Sequence, residues 1–293
     1  MPDNIRYVTH VDILGMSSLV QRNAEQAWEV LSVLASVRDH LDSFGVEVTA
    51  SGQKFAISDR VFRVMFSDTI VLFTKGETED DLRLLLIATG ELFHKAMFKG
   101  IPVRGGVALG KFFFNFEESM FAGPALIDAY HLGESAQWLG ISTSETVYRR
   151  SKAANIRSGL LADAVIPAMI PVTKSAQNLY SHKPRTNFIR SFSNFWSRLS
   201  PMHWIRRIWH RRMYQTNFIR AGYTLNWPSL YANDFKVEPP ISLELFYSQF
   251  VSFYGPLEEL READKQKYLN TVAFLNASWE SNNHRSSTHP GAG

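Results

Sequence analysis

Two aspartates sit inside runs of strand-forming, mostly apolar residues. Asp12 closes the first strand-like run in Tyr7-Val-Thr-His-Val-Asp-Ile-Leu-Gly-Met-Ser-Ser18, and Asp68 lies between two more in Val64-Met-Phe-Ser-Asp-Thr-Ile-Val-Leu-Phe73. Burying a carboxylate is costly unless something pairs with it. Two such acids, the first followed at once by a small-residue turn, point to a two-cation site facing a phosphate cradle. Such a chain needs a sheet that delivers both acids to one place.

The surrounding pattern supplies one. Ile5 to Leu14 reads as a buried strand, and Gly15 to Ser18 turns into a helix over Leu19 to Phe44, with Ala27, Val30, Leu31, Leu34, Val37 and Leu41 on one face. Val61–Phe66 and Thr69–Phe73 read as two strands meeting at Ser67-Asp68. Acidic Glu77 to Asp81 opens a helix over Leu82 to Phe98, where negative charge suits the positive end. Ile101 to Ala108 is a further strand, and Phe112 to Phe114 continues the sheet. Gly123-Pro124 leads into a helix through Leu139, and Ile141 starts another strand. The order β-α-β-β-α-β-β-α-β predicts an α+β sandwich with a mixed, partly antiparallel sheet.

Four segments are expected. Residues 1–173 form the core, 174–220 a basic aromatic helical insertion, 221–277 a final core strand with C-terminal helices, and 278–293 a disordered polar tail. The insertion holds ten Lys and Arg and no Asp or Glu, although the whole chain is only +3. It is bracketed by a repeat, Thr186-Asn-Phe-Ile-Arg190 and Thr216-Asn-Phe-Ile-Arg220. No cysteine is present, which excludes disulfides, thiolate metal sites and cysteine nucleophiles. The start, Met1-Pro-Asp-Asn, has no long apolar stretch, so a signal peptide is not expected, and no run is long enough to span a bilayer. A cytoplasmic protein is expected, with membrane-peripheral contact as an added reading of the insertion.

The chemistry follows from local geometry. A strand ending in Asp12 hands the chain to a turn whose free N–H groups can bind phosphate oxygens, with Gly15 allowing close approach and Met16, Ser17 and Ser18 completing the turn. The same residues also fit an ordinary turn capped by Ser17 or Ser18. Asp68 at a hairpin tip is ordinary by itself. Together the two acids can hold cations that activate a hydroxyl and neutralise a leaving pyrophosphate.

The motif order Asp12-Ile-Leu-Gly-Met-Ser, Ser67-Asp-Thr, Arg104-Gly-Gly-Val-Ala-Leu-Gly110 and Gly123-Pro-Ala-Leu-Ile-Asp-Ala129 resembles the class III nucleotidyl cyclases, over about Tyr7 to Val147. The resemblance implies a class III cyclase-like fold and a homodimer with active sites at the interface. It implies two divalent cations, Mn²⁺ favoured or Mg²⁺, on Asp12, Asp68 and the carbonyl of Ile13. The implied reaction is attack of a ribose 3′-hydroxyl on the α-phosphate, giving a 3′,5′-cyclic nucleotide and pyrophosphate. Where purine cyclases carry base-reading residues this chain has Val64 and Met120, and where they carry a transition-state Asn and Arg it has Ile127 and His131. Gly123-Pro-Ala-Leu-Ile-Asp-Ala-Tyr-His-Leu132 with Leu225-Asn-Trp-Pro228 resembles the pyrimidine cyclases of bacterial Pycsar antiphage systems. That branch implies UTP, or alternatively CTP, as substrate and a downstream effector gated by the cyclic nucleotide. An inactive cyclase-like domain that binds nucleotide or a partner is the competing reading, as is a purine cyclase with unusual base contacts.

Other residues carry two readings each. Arg104 can reach a phosphate or pair structurally with a carboxylate. His131 can replace the missing Arg when protonated, or simply sit on a helix flank. Asp128 and Glu134 read as solvated helix charges, and strand alternation puts Arg63 on the opposite face from Val64. The stripe Trp204, Ile205, Ile208, Trp209, Met213 with surrounding arginines fits a helix packed on the core or the dimer mate. It also fits peripheral membrane contact through 187–216, or nucleic-acid binding.

Overall fold

The first strand has two unlike faces. In β1 (Ile5–Ile13), Tyr7, Val11 and Ile13 enter the large core while Val8 enters a smaller cluster on the other side. His10 and Asp12 share the Val8 side, because side chains alternate along a strand. The structure is a computed structural model that describes residues 4–41, 45–47, 54–158, 162–173, 176, 218–228, 231 and 240–287.

After β1 come α1 (Met16–Arg22), α2 (Ala24–His40), the small hairpin β2 (Gly45–Glu47) and β3 (Lys54–Ala56), then β4 (Val61–Phe66), β5 (Thr69–Thr74) and α3 (Glu79–Phe98). Next are β6 (Val103–Lys111), the hairpin β7 (Phe113–Asn115) and β8 (Met120–Ala122), α4 (Pro124–Ser135), β9 (Gly140–Thr143) and α5 (Glu145–Ala153). The chain continues through β10 (Arg157–Ser158), β11 (Ala162–Asp163), β12 (Val165–Val172), β13 (Phe218–Leu225), α6 (Leu243–Tyr247), α7 (Val251–Tyr254) and α8 (Glu262–Ser287).

Seven strands form one sheet in the order β12-β13-β9-β6-β1-β5-β4. Within it the pairs β4–β5, β5–β1 and β1–β6 are antiparallel, whereas β6 and β9 run parallel. The four-strand part, with α1–α2 and α3 as its two crossovers, is a split βαβ arrangement. The molecule is therefore α+β with a mixed, partly antiparallel sheet. One sheet face carries α2, α3 and the C-terminal helices over a single large core that runs from Tyr7 to Trp279. A buried hydrogen bond of 2.9 Å between Thr9 and Thr89 ties β1 to α3 without leaving a hydroxyl unpaired. Thr78 and Asp81 close a capping box at the start of α3, as its acidic first turn requires.

The opposite face is thinly covered. There α4 crosses β1 and β6, and the β7–β8 hairpin lies over β4 and β5. Phe73 gathers Phe62, Phe112, Phe114, Phe116 and Phe121 around it at centroid distances of 4.9 to 6.2 Å. The α4 helix packs onto bare backbone, because a Cβ at Gly106 would collide with the Ala129 carbonyl and come within 2.7 Å of Leu132 Cβ.

Several boundaries differ from those the sequence predicts. The first helical stretch is two helices, because Asn23 takes an extended backbone (φ −158°) and its side chain accepts from the Gln26 N–H to start α2 anew. The helix α4 stops at Ser135 rather than Leu139, and extended Ala136 bridges to Val172. Residues 218–220, expected in the insertion, are strand: β13 pairs with β12 from Val172↔Phe218 onward. The insertion therefore joins the two ends of a β-hairpin. The helix α8 runs to Ser287, past the tail boundary expected at Ser278, with Trp279 buried in the core as an anchor. Most of the expected insertion and residues 288–293 lie outside the described residues, as does the 187–216 segment read as a membrane contact. Among the described residues no helix is long and apolar enough to cross a membrane.

Candidate active site

Register brings the two acids together. Asp12 at the end of β1 stands opposite Thr69 on β5 and Arg104 on β6. Asp68 immediately precedes Thr69 in the two-residue turn that joins β4 to β5, so both carboxylates lie at one end of the sheet. The turn requires Ser67 at φ +52°, a left-handed conformation that costs a non-glycine residue about 1 kcal/mol. It is locked to β1 by the Ile13 N–H, which donates to the Asp68 carbonyl at 3.2 Å.

Beyond β1 the chain reverses at Gly15 (φ +81°), and the Leu14 N–H is held by the Pro102 carbonyl at 2.8 Å. Gly15 is itself the N-cap of α1, and no side chain caps that helix. Capping by Ser17 or Ser18 is thus not what forms; both are exposed at the turn, while the Met16 side chain is buried and leaves only its N–H for a ligand.

Arg104 is the cation beside the acids, 9% exposed. Its guanidinium approaches Asp12 to 3.6 Å and is gripped by the Glu134 carboxylate, with further bonds to the carbonyls of Glu134 (3.2 Å) and Ala136 (3.4 Å). Glu134 is therefore not the solvated helix charge that the sequence predicts. Its place at the end of α4 turns it under the helix toward β6. Even so, burial pushes the Asp12 carboxyl up to about 6; Arg104 pulls the other way, and Asp68 and Glu134 add to the rise.

This fits a bound cation. Asp12 carries negative charge that Arg104 does not fully compensate, Asp68 worsens it, and the donors are carboxylate and carbonyl oxygens suited to hard Mg²⁺ or Mn²⁺. Among the described residues no group of three or more His, Asp and Glu that could hold a metal ion gathers, so Asp12 and Asp68 stand as a pair of carboxylates.

Around the acids the walls are apolar and aromatic. His10, on the Asp12 face, is 9% exposed and meets the Tyr130 ring edge-on at 5.3 Å. Burial lowers its pKa, so it is a neutral imidazole at neutral pH. Val64 pairs with Val71 and packs on the aromatic cluster, half-buried on the same face. Met120 is exposed on β8, whose Phe121 touches Phe66 at 5.4 Å beside the Asp68 turn. Ile127 is exposed on α4, and His131 is half-buried against Tyr130. The structure thus collects Asp12, Asp68, Arg104 and the Gly15 turn at one sheet end. Val64, Met120, Ile127 and His131 are spread over the thinly covered face. His10 and Tyr130 escaped the sequence reading, and Glu134 entered it only as a solvated helix charge. Of these, His10 had a signal: it lies two residues from Asp12, on the same strand face.

No protein-family model matches the chain, and no curated protein matches it. Among solved structures, a bacterial light-regulated adenylyl cyclase is similar at 11% identity with a TM-score of 0.37, over 56% of this chain and 82% of that one.

Proposed function

We propose that this protein is a metal-dependent nucleotidyl cyclase acting on a pyrimidine ribonucleoside triphosphate. The observation that carries the reading is the convergence of Asp12 and Asp68 at one sheet end beside the uncapped Gly15 turn. The motif order around both acids, which resembles class III nucleotidyl cyclases, supplies the reaction class. Divalent cations bound there, Mn²⁺ favoured or Mg²⁺, supply activation of the ribose 3′-hydroxyl and charge neutralisation on the phosphates.

The chain's own residues orient the reaction. Asp12, Asp68 and the Ile13 carbonyl provide the ligands, and Arg104, fixed by Glu134, holds the Asp12 carboxylate in place. The free N–H groups of Met16, Ser17 and Ser18 face the triphosphate. The 3′-oxygen then bonds to the α-phosphorus, the bond to the β-phosphate oxygen breaks, and the hydroxyl proton leaves to solvent. The products are a 3′,5′-cyclic nucleotide and pyrophosphate. Val64 and Met120 offer no charge to read a purine edge, which favours a pyrimidine. UTP is the favoured substrate, giving cyclic UMP, and CTP is the alternative.

The exposed apolar side chains Phe66, Phe116, Met120, Ile127 and Tyr130 support a second copy of the chain covering this face. A role in antiphage signalling through a cyclic-nucleotide effector rests on the resemblance of residues 123–132 and 225–228 to Pycsar cyclases.

The test is incubation with each of the four ribonucleoside triphosphates and Mn²⁺ or Mg²⁺, with products identified by mass. A cyclic pyrimidine nucleotide formed by the wild type and lost in Asp68→Ala is expected. A cyclic purine product moves the specificity elsewhere. No product from any triphosphate leaves the second reading, an inactive nucleotide-binding domain, which exposed Ile127 and half-buried His131 favour.

A further inference from the structure

Tyr254 comes from the C-terminal helical segment, far in sequence from either acid, yet it packs against the turn that follows Asp12. Its ring edge stands 3.4 Å from where a Cβ on Gly15 would be. Two residues before Gly15, the Ile13 N–H bonds the Asp68 carbonyl, so the turn that Tyr254 packs against is tied to the Asp68 backbone.

The segment around Tyr254 is held firmly. Arg22 donates to the carbonyls of Tyr254 (3.1 Å) and Phe253 (2.9 Å), Gln26 donates to Ser252 (2.9 Å), and the Tyr247 hydroxyl donates to Gly255 (3.0 Å). Tyr254 is 5% exposed, and its hydroxyl oxygen is buried without a hydrogen-bond partner among the described residues. A buried hydroxyl without a partner is destabilising, and phenylalanine would fill the same space without that penalty. Burial pushes this hydroxyl well above the ordinary tyrosine range, and the nearby charge of Asp68 adds to the rise. The group therefore stays protonated and can only donate or accept as a neutral O–H.

We propose that Tyr254 is a positioning residue for the metal site, its hydroxyl donating to the Asp68 carboxylate when that carboxylate binds a divalent cation. The inference rests on the reading of Asp68 as a metal ligand, and it assigns the C-terminal segment a part in the site. Hydrogen bonds from outer groups fix the orientation of a ligating carboxylate, and their loss typically weakens metal binding 10- to 100-fold.

The experiment is Mn²⁺ titration of the full chain by calorimetry, with Tyr254→Phe, Asp68→Ala and the double variant. Tyr254→Phe is expected to weaken Mn²⁺ binding about 10-fold. It should leave the metal-free melting temperature unchanged or higher, since an unpaired buried hydroxyl is removed. In the Asp68→Ala background the same substitution should change Mn²⁺ affinity no further. Unchanged Mn²⁺ affinity in Tyr254→Phe overturns the proposal, as does an equal loss with and without Asp68. A wild type that binds no Mn²⁺ overturns both this inference and the metal-dependent reading. A wild type that binds Mn²⁺ through Tyr254 and Asp68 but cyclises no triphosphate removes the cyclase reading alone.

Discussion

Burial holds the Asp12 carboxyl near 6 against an ordinary 3.8, and Arg104 at 3.6 Å only partly offsets it. The sign of the consequence follows from proton counts. Between about pH 4 and about 6 the native state binds this proton more tightly than the unfolded chain does. Metal-free stability from this group is therefore greatest at the acid end and is lost as pH rises through that window. The full penalty above it is on the order of 3 kcal/mol. Asp12→Asn removes the titration. Relative to wild type, the variant should gain up to about 3 kcal/mol between pH 4 and pH 7 in urea unfolding with chelator present. A stability difference that stays flat with pH contradicts a buried, uncompensated carboxyl. It would also weaken the argument that this site needs a cation.

The fit of α4 on β6 decides what surrounds Asp12. Positions Arg104, Gly106, Ala108 and Gly110 face the helix, and the glycines let it lie on the strand. Gly106→Ala drives a methyl group into the Ala129 carbonyl and Leu132, and should cost about 3 kcal/mol. Gly110→Ala places its methyl 3.5 Å from Ala125 Cβ, an ordinary contact, and should change stability by less than about 0.5 kcal/mol. Thermal or urea unfolding of the two variants makes the comparison, and equal effects would mean that α4 is not seated as described. The strands flanking Asp12 and Asp68 were legible in sequence because alternation is local and the acids interrupt it visibly. The break at Asn23 was less so: the apolar stripe on α2 continues smoothly, and only a capping residue marks the gap. Glu134 was out of reach. Whether a charge on a helix meets water or an arginine depends on which strand lies beneath, and Arg104 is thirty residues earlier. Tyr254 was further still, since its partner turn lies at the other end of the chain.

The basic insertion leaves the fold at Val172, one β-bridge from the Ala136 carbonyl that Arg104 holds. The acids lie at the end of the sheet where β1 finishes and β6 begins. Following the pairing outward, β9 is parallel to β6, β13 is antiparallel to β9, and β12 is antiparallel to β13. Val172 and Phe218, where the insertion leaves and returns, pair on the far edge of the sheet, yet Val172 also bridges Ala136, whose carbonyl accepts from Arg104. Ala176 is still buried in the core, so an excision has to begin after it. Replacing residues 178–215 with a short Gly/Ser linker keeps β12 and β13 paired. A roughly fourfold shorter connection gains about 1 kcal/mol of loop-closure entropy. The excised protein should fold with stability at or slightly above that of the full chain. It should also form product within about twofold of it, because no described residue of the site is touched. Any affinity of the full chain for anionic vesicles, scored by flotation, should be lost in the same variant if the insertion is a surface anchor. A variant that keeps its circular dichroism and melting temperature yet loses Mn²⁺-dependent turnover would make the insertion part of the catalytic unit, acting through the Val172–Ala136 bridge beside Arg104.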